Sequence, residues 1–199
     1  AIDRLTAKGH GLAGFIAETF PSVGGQIIPP KGYLSAVYEK IRANGGLCIA
    51  DEVQTGLGRL GEYYFGFEHQ GALPDIVVMG KPIGNGHPLG VLVTTRAIAD
   101  SFDNGIEFFS TFGGSTLSCR IGKEVLDIVD DEGLQDNARA MGAQLTDGLN
   151  LHRRHLGPHR PLQTAPVTVV CVARRTCRAE SYDIVTRVHG RPDARLSAA

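Results

Sequence analysis

Between residues 14 and 102 the chain alternates short apolar runs with loops and helical patterns. Gly14-Phe15-Ile16-Ala17, closed by Glu18, reads as a buried strand. Gly24-Gly25 and Pro29-Pro30 mark a loop. Leu34, Val37, Tyr38 and Ile41 then recur at i, i+3, i+4 and i+7, which predicts a helix over 31–44 with one buried face, ended by Gly45-Gly46. Leu47 to Ala50, Ile76 to Met79 and Gly90 to Thr95 are further apolar runs of strand length, and Arg96 to Phe102 reads as a short helix. The first strand-loop-helix-strand unit predicts a right-handed parallel crossover. The glycines of 56–61 mark a second loop, followed by the aromatic stretch Tyr63-Tyr64-Phe65-Gly66-Phe67, which reads as packing surface. Two longer helices follow. Leu117, Ile121, Val125, Ile128 and Val129 line one, and Leu134, Ala138, Met141, Leu145 and Leu149 line the other. The pattern is that of an α/β protein with a mostly parallel sheet and no internal repeat.

Beyond about residue 150 the pattern stops. Residues 151–199 contain arginine and histidine but no lysine, scattered prolines and no sustained period, with Val167 to Val172 as an isolated strand candidate. A disordered basic tail and translation in a shifted frame both account for such sequence. The expected organisation is therefore a patterned segment over 1–150 and a separate tail over 151–199. The chain begins at Ala1 and meets a strand almost at once, so it reads as a piece of a longer protein.

A length of 199 residues suffices for one domain with a real core. The formal net charge of −1 supplies no global field for nucleic acid or anionic membrane. No apolar run reaches membrane-spanning length and the N-terminus lacks signal-peptide regions, so the expected location is the cytoplasm. Cys48, Cys119, Cys171 and Cys177 show no CxxC spacing, and Cys48 and Cys119 fit the role of small buried hydrophobes.

Two strand ends carry candidate chemistry. Leu47-Cys48-Ile49-Ala50 ends in Asp51-Glu52, and Ile76-Val77-Val78-Met79 ends in Gly80-Lys81. If both strands are parallel in one sheet, their carboxyl ends open on the crevice where open α/β sheets bind ligands. An apolar run ending in Asp-Glu also resembles the metal-holding element of nucleotide hydrolases, but the phosphate loop this needs is missing. Gly80-Lys81 is followed by Pro82, and Asp75 stands where that loop requires glycine. Nor does Gly84-Asn85-Gly86 continue as a dinucleotide fingerprint, because the third glycine, Gly90, falls one position late. A lone loop lysine is ordinarily a solvated surface group. Lys81 differs in leaving an apolar strand among glycines, where a bulky ligand can approach the backbone and desolvation would make the amine a nucleophile.

These residues together resemble a known family. Ile49-Ala50-Asp51-Glu52-Val53-Gln54-Thr55-Gly56, Arg59, Pro74-Asp75-Ile76 and Met79-Gly80-Lys81 are similar to the signature of class III pyridoxal-phosphate aminotransferases, the ornithine and 4-aminobutyrate type. Phe15-Ile16-Ala17-Glu18 resembles the family's Ala-Glu element, and Ser110-Thr111-Phe112-Gly113-Gly114-Ser115 its Ser-Thr-Tyr/Phe-Gly-Gly loop. The resemblance covers roughly 11–149. It implies the three-layer fold type I of pyridoxal-phosphate transferases, with helices flanking a mostly parallel sheet. It implies a homodimer in the full-length parent, a pyridoxal 5'-phosphate cofactor, and amino-donor and keto-acid substrates. Lys81 would form the Schiff base and move the α-proton, and Asp51 would pair with the pyridinium nitrogen. Val53 would pack on the ring, Gln54 would bond its phenolic oxygen, Thr111 would reach the phosphate held by the neighbouring subunit, and Glu18 would line the substrate side. Ser115-Thr116 departs from the family's Asn-Pro, and the family's phosphate cup and substrate arginine find no match in the chain.

Residues 22–33 and Gly84-Asn85-Gly86-His87-Pro88 are most similar to the branch containing alanine-glyoxylate aminotransferase 2 and the ethanolamine-phosphate and phosphohydroxylysine phospho-lyases. The resemblance therefore implies a transaminase, with a phospho-lyase as the alternative, since Lys81 and Asp51 serve both. An inactive fragment of such an enzyme is the reading from a different class.

Overall fold

The computed structural model describes residues 1–22, 25 and 27–154. The isolated strand expected at Val167 to Val172 lies outside the described residues, as do Val23, Gly24 and Gln26. In chain order the elements are α1 (Ile2–Thr6), β1 (Gly14–Glu18), α2 (Tyr33–Ala43), β2 (Leu47–Asp51), α3 (Gly66–His69), β3 (Ile76–Met79), β4 (Val91–Thr94), α4 (Arg96–Phe102), α5 (Thr116–Asp131) and α6 (Leu134–Arg154). A single 3-10 turn spans Lys81–Gly84. The four strands lie side by side in the order β1-β2-β3-β4. β1, β2 and β3 are parallel, whereas β4 runs antiparallel to β3. The reversal follows from the connection: residues 80–90 contain no crossover helix, and without one the chain returns beside β3 in the opposite sense. Helix α2 starts at Tyr33, two residues after the expected boundary, because Gly32 takes a left-handed φ of 80° just before it.

One face of the sheet is packed. Leu34, Tyr38 and Ile41 of α2 meet Cys48 and Phe15 in one cluster, and Met79, Ile83 and Leu57 form a second with Val77, Val93 and Leu126 around them. Phe15 pairs with Cys48 and Ala50 with Val77, so these side chains share a face by the two-residue alternation of strands. The opposite face carries Ile16, Ile49, Asp51, Val78 and Leu92, and is open at Ile16 (63% exposed) and Leu92 (62%). Helices thus cover one side of the described sheet.

The entry to β3 is fastened to both neighbours. Asp75 accepts hydrogen bonds from the Cys48 amide (2.7 Å) and Arg42 Nη2 (3.0 Å), tying α2, β2 and β3 together. Burial alone would raise the Asp75 carboxyl, but the Cys48 amide and the Arg42 guanidinium outweigh it and hold the group below the usual carboxylate range. Cys48 is fully buried as expected, while Cys119 is half-buried on α5.

Candidate active site

Strand register brings the first candidate residues together. Glu18 pairs with Asp51 and Asp51 with Val78, so the carboxyl ends of β1, β2 and β3 lie level. Glu18 and Asp51 therefore share a face on adjacent strands, whose backbones stand about 4.8 Å apart. Glu18 Oε2 accepts the amide and hydroxyl of Ser22, both at 2.9 Å. Asp51 Oδ1 accepts the Val53 amide at 3.0 Å, and its other oxygen has no hydrogen-bond partner among the described residues. An acceptor is thus available at the end of β2.

The turn after Asp51 is locked from two sides. Glu52 is 1% exposed, yet its carboxylate accepts from Thr19 Oγ1 (2.6 Å), Thr55 Oγ1 (2.5 Å), the Gly66 amide (2.8 Å) and the Phe67 amide (3.0 Å). Four donors compensate a buried charge that would otherwise be prohibitive. From the other side Arg59 donates to the carbonyls of Gly56 (2.7 Å), Val53 (2.7 Å) and Glu52 (3.3 Å). Burial lowers the Arg59 guanidinium below its ordinary value, against the opposing pull of the Glu52 charge. The backbone presenting Asp51, Val53 and Gln54 is held rigidly as a result.

Lys81 lies two residues past β3. Its φ of 38° is left-handed, and Pro82 follows it, a neighbour that disfavours helical geometry in the residue before it. Such strain costs on the order of 1–3 kcal/mol and persists only where the surroundings impose it. Gly80 explains how the turn is reached: a Cβ there would stand 3.4 Å from Val53 Cγ2, so Val53 sits against the residue before Lys81. Lys81 is exposed and has no hydrogen-bond partner among the described residues, so the desolvation expected from the sequence is not met. This exposure leaves its amine accessible to water.

A cavity of about 550 Å³ adjoins Lys81, walled by the loops at 57–59 and 81–88 and floored by Val125, Ile128 and Val129 of α5 and Leu134 and Ala138 of α6. Asp51, Val53, Gln54, Glu18 and Thr111 do not line it. Lys81 thus lines this cavity, and Gly80 just before it lies against Val53. Gln54 is half-buried and Thr111 is exposed, and neither hydrogen-bonds the Asp51–Lys81 cluster among the described residues. Thr111 belongs to a segment that exposes Ile106 (78%), Phe108 (73%), Phe109 (80%) and Phe112 (85%).

Residues 1–157 match the family described as aminotransferase class-III. The chain belongs to the class III aminotransferases. It is 51% identical over 145 residues to the alanine–glyoxylate aminotransferase 2-like protein of Drosophila melanogaster, covering 72% of this chain and 29% of that relative. Among solved structures, a phospholyase from Arthrobacter in complex with phosphoethanolamine superposes with a TM-score of 0.73 at 39% identity, over 77% of this chain and 36% of that one. The ornithine aminotransferase of Toxoplasma gondii, described with partial occupancy of pyridoxal phosphate at its active site, matches with a TM-score of 0.64 at 36% identity, over 69% and 32%. This class III chain thus spans about a third of the length of the proteins it matches.

Sequence reading missed three contacts here. The Glu52 network is partly local, since Thr55 lies three residues on, but Thr19 and Gly66 join it only through the fold. The Arg59 side chain folds back on its own turn. His87 Nε2 stands 2.9 Å from Ser118 Oγ across 31 residues, for which no periodic signal exists.

Proposed function

We propose that the protein is a pyridoxal-phosphate-dependent transaminase in which Lys81 is the covalent anchor for the cofactor. What supports this reading is the level alignment of the β2 and β3 ends, together with an Asp51 oxygen that has no partner among the described residues, an exposed Lys81, and Val53 against Gly80. These residues fit the cofactor: an amine for its aldehyde, an acceptor for its ring nitrogen and the apolar Val53 for its ring face. When bound, pyridoxal phosphate supplies an aldehyde and a ring that delocalises the electron pair left on the substrate carbon. Asp51 holds the ring nitrogen protonated, and Val53 excludes water from one ring face. Lys81 would hold the cofactor's aldehyde and serve as the base and acid for the substrate's α-proton. Gln54 bonds the phenolic oxygen, and Glu18 borders the substrate side.

Residues 1–150 form part of the cofactor-binding domain in this reading, and 151–199 stand apart from it. Thr111 acts in a homodimer, where the exposed aromatic segment around it forms contact surface and its hydroxyl reaches the partner's cofactor phosphate. No helix among the described residues is long and apolar enough to cross a membrane. We place the protein in the cytoplasm, which fractionation against mitochondrial and cytosolic markers tests.

The Arthrobacter structure with phosphoethanolamine favours a second reading, loss of phosphate from a phosphorylated amine. Incubation of the cofactor-loaded protein with phosphoethanolamine separates the two. Amino transfer that depends on an added keto acid is the expected outcome for a transaminase. Stoichiometric phosphate release without a keto acid identifies the lyase. A Lys81→Ala variant loses either activity by at least about a thousandfold if the lysine is base and acid. Neither activity in the parent chain identifies an inactive fragment.

A further inference from the structure

The loop that carries Lys81 is built of three successive turns. The amides of Ile83, Asn85 and His87 donate to the carbonyls of Gly80, Pro82 and Gly84 at 3.2, 3.0 and 2.9 Å, so the backbone links Lys81 to His87 without a break. From there the imidazole reaches α5, where its Nε2 stands 2.9 Å from Ser118 Oγ and both side chains are half-buried. Either ring tautomer keeps this bond, since a serine hydroxyl both donates and accepts. One turn further along α5, a Cβ at Gly122 would stand 2.7 Å from Leu89 Cδ2, so the same loop also packs on the helix. The start of α5 is joined in turn to the segment of Thr111. The Cys119 amide donates to the Ser115 carbonyl (2.9 Å), the Ser115 amide to the Phe112 carbonyl (3.3 Å) and the Gly113 amide to Ser110 Oγ (2.9 Å), and Thr111 lies within that closed turn. The Lys81 loop and the Thr111 turn are thus fastened to the same first turns of one helix, with His87–Ser118 as the polar link between them.

We propose that His87, acting through Ser118, is a positioning residue for Thr111: it sets the start of α5 and with it the hydroxyl that this protomer sends to the cofactor phosphate of its partner. The assignment rests on the roles given above to Lys81 and Thr111. Its signature is a matter of which site responds. A histidine that only steadies its own Lys81 loop acts on the cofactor of its own protomer, whereas one that acts through Thr111 affects the cofactor of the other. The phosphate marks the same distinction, because Thr111 has nothing to bond in a cofactor that lacks it.

The test is borohydride fixation of pyridoxal phosphate on Lys81 in heterodimers of two differently tagged chains, read as the half-saturating cofactor concentration. The reference pairs a parent chain with a Lys81→Ala chain. In the first heterodimer His87→Phe is added to the Lys81→Ala chain, so the remaining Lys81 is served by the Thr111 of the altered chain. In the second it is added to the chain that keeps Lys81, which is then served by the Thr111 of a chain with His87 intact. The half-saturating concentration is expected to rise about fivefold in the first, the worth of one hydrogen bond, and to stay at the reference value in the second. Pyridoxal, which has no phosphate, is expected to show no difference in either. If His87→Phe fails to fold, Ser118→Ala takes its place, and Ser118→Thr, which keeps the hydroxyl, is expected to restore the reference value. No rise in the first heterodimer, a rise in the second, or an equal rise with pyridoxal overturns the proposal. Thr111→Ala is placed in the same two positions. A rise across the dimer for Thr111→Ala with none for His87→Phe removes the positioning role alone. A parent chain that stays monomeric, or Thr111→Ala without effect, removes the role given to Thr111 and the proposal with it, and fixation confined to another lysine removes the role given to Lys81 and the proposal likewise.

Discussion

Glu52, the second acid of the Asp-Glu pair, is fully committed to hydrogen bonds, while its neighbour Asp51 keeps an oxygen open. The difference follows from strand alternation: Asp51 ends β2 on the open sheet face, and Glu52, the next residue, turns to the packed side. There it organises Thr19 and Thr55 and the amides that begin α3. In Glu52→Gln one oxygen becomes an NH2 group. The threonine hydroxyls can rotate to suit it, but the Gly66 and Phe67 amides, bound to different oxygens, cannot both be satisfied. The expected cost is about 2–4 kcal/mol, from the lost charge-assisted bonds and a buried unpaired N–H. It is read as a lower urea midpoint with an unchanged slope. A variant as stable as the parent would show that Glu52 does not hold the turn.

Contacts between elements are controlled by two glycines that differ in what they tolerate. Gly61 has a φ of 74°, and a Cβ there would lie 2.6 Å from Arg139 Cα and 2.7 Å from Arg139 N. Backbone cannot retreat as a side-chain tip can, so Gly61→Ala must separate the 57–61 loop from α6. A Cβ at Gly122 on α5 would stand 2.7 Å from Leu89 Cδ2, the far end of a flexible side chain, and Ala there gains helix propensity of about 1 kcal/mol that offsets the shift. Gly61→Ala is expected to destabilise by at least about 2 kcal/mol and Gly122→Ala by less than about 1 kcal/mol, measured by denaturant unfolding. The reverse order contradicts the packing described here. Such keying was not legible in the sequence, where both positions are simply glycine. Periodicity identified α2, α5 and α6 because it records which face is apolar. It does not record what covers that face: Leu117 is 65% exposed, and on α6 Met141 (40%), Leu145 (46%) and Leu149 (45%) remain open while Ala138 is buried. Strand composition located β4 but not its direction, since alternation is the same for parallel and antiparallel partners. The strand ends that carry Asp51 and Lys81 were legible because the apolar runs Leu47–Ala50 and Ile76–Met79 stop there. His87–Ser118 was not, because a contact across 31 residues leaves no local trace.

At the scale of the whole molecule, three apolar surfaces lie open among the described residues: the sheet face of Ile16 and Leu92, the segment of Phe108, Phe109 and Phe112, and the outer stripe of α6. The chain spans 29% of its Drosophila relative and 36% of the Arthrobacter phospholyase chain. Contiguous apolar surface of this kind is ordinarily buried against a further layer or a second copy. On the proposed reading, those covering parts also desolvate Lys81 and complete the cofactor pocket, of which this chain supplies the lysine, the ring-nitrogen partner and the Val53 wall. The central claim is that Lys81 takes the cofactor. Reduction of the pyridoxal-phosphate-loaded protein with borohydride, followed by peptide mass mapping, tests it most directly. A stable pyridoxyl adduct on the peptide containing Lys81, absent in Lys81→Ala, is the predicted result; an adduct confined to Lys31, Lys40 or another lysine would contradict it.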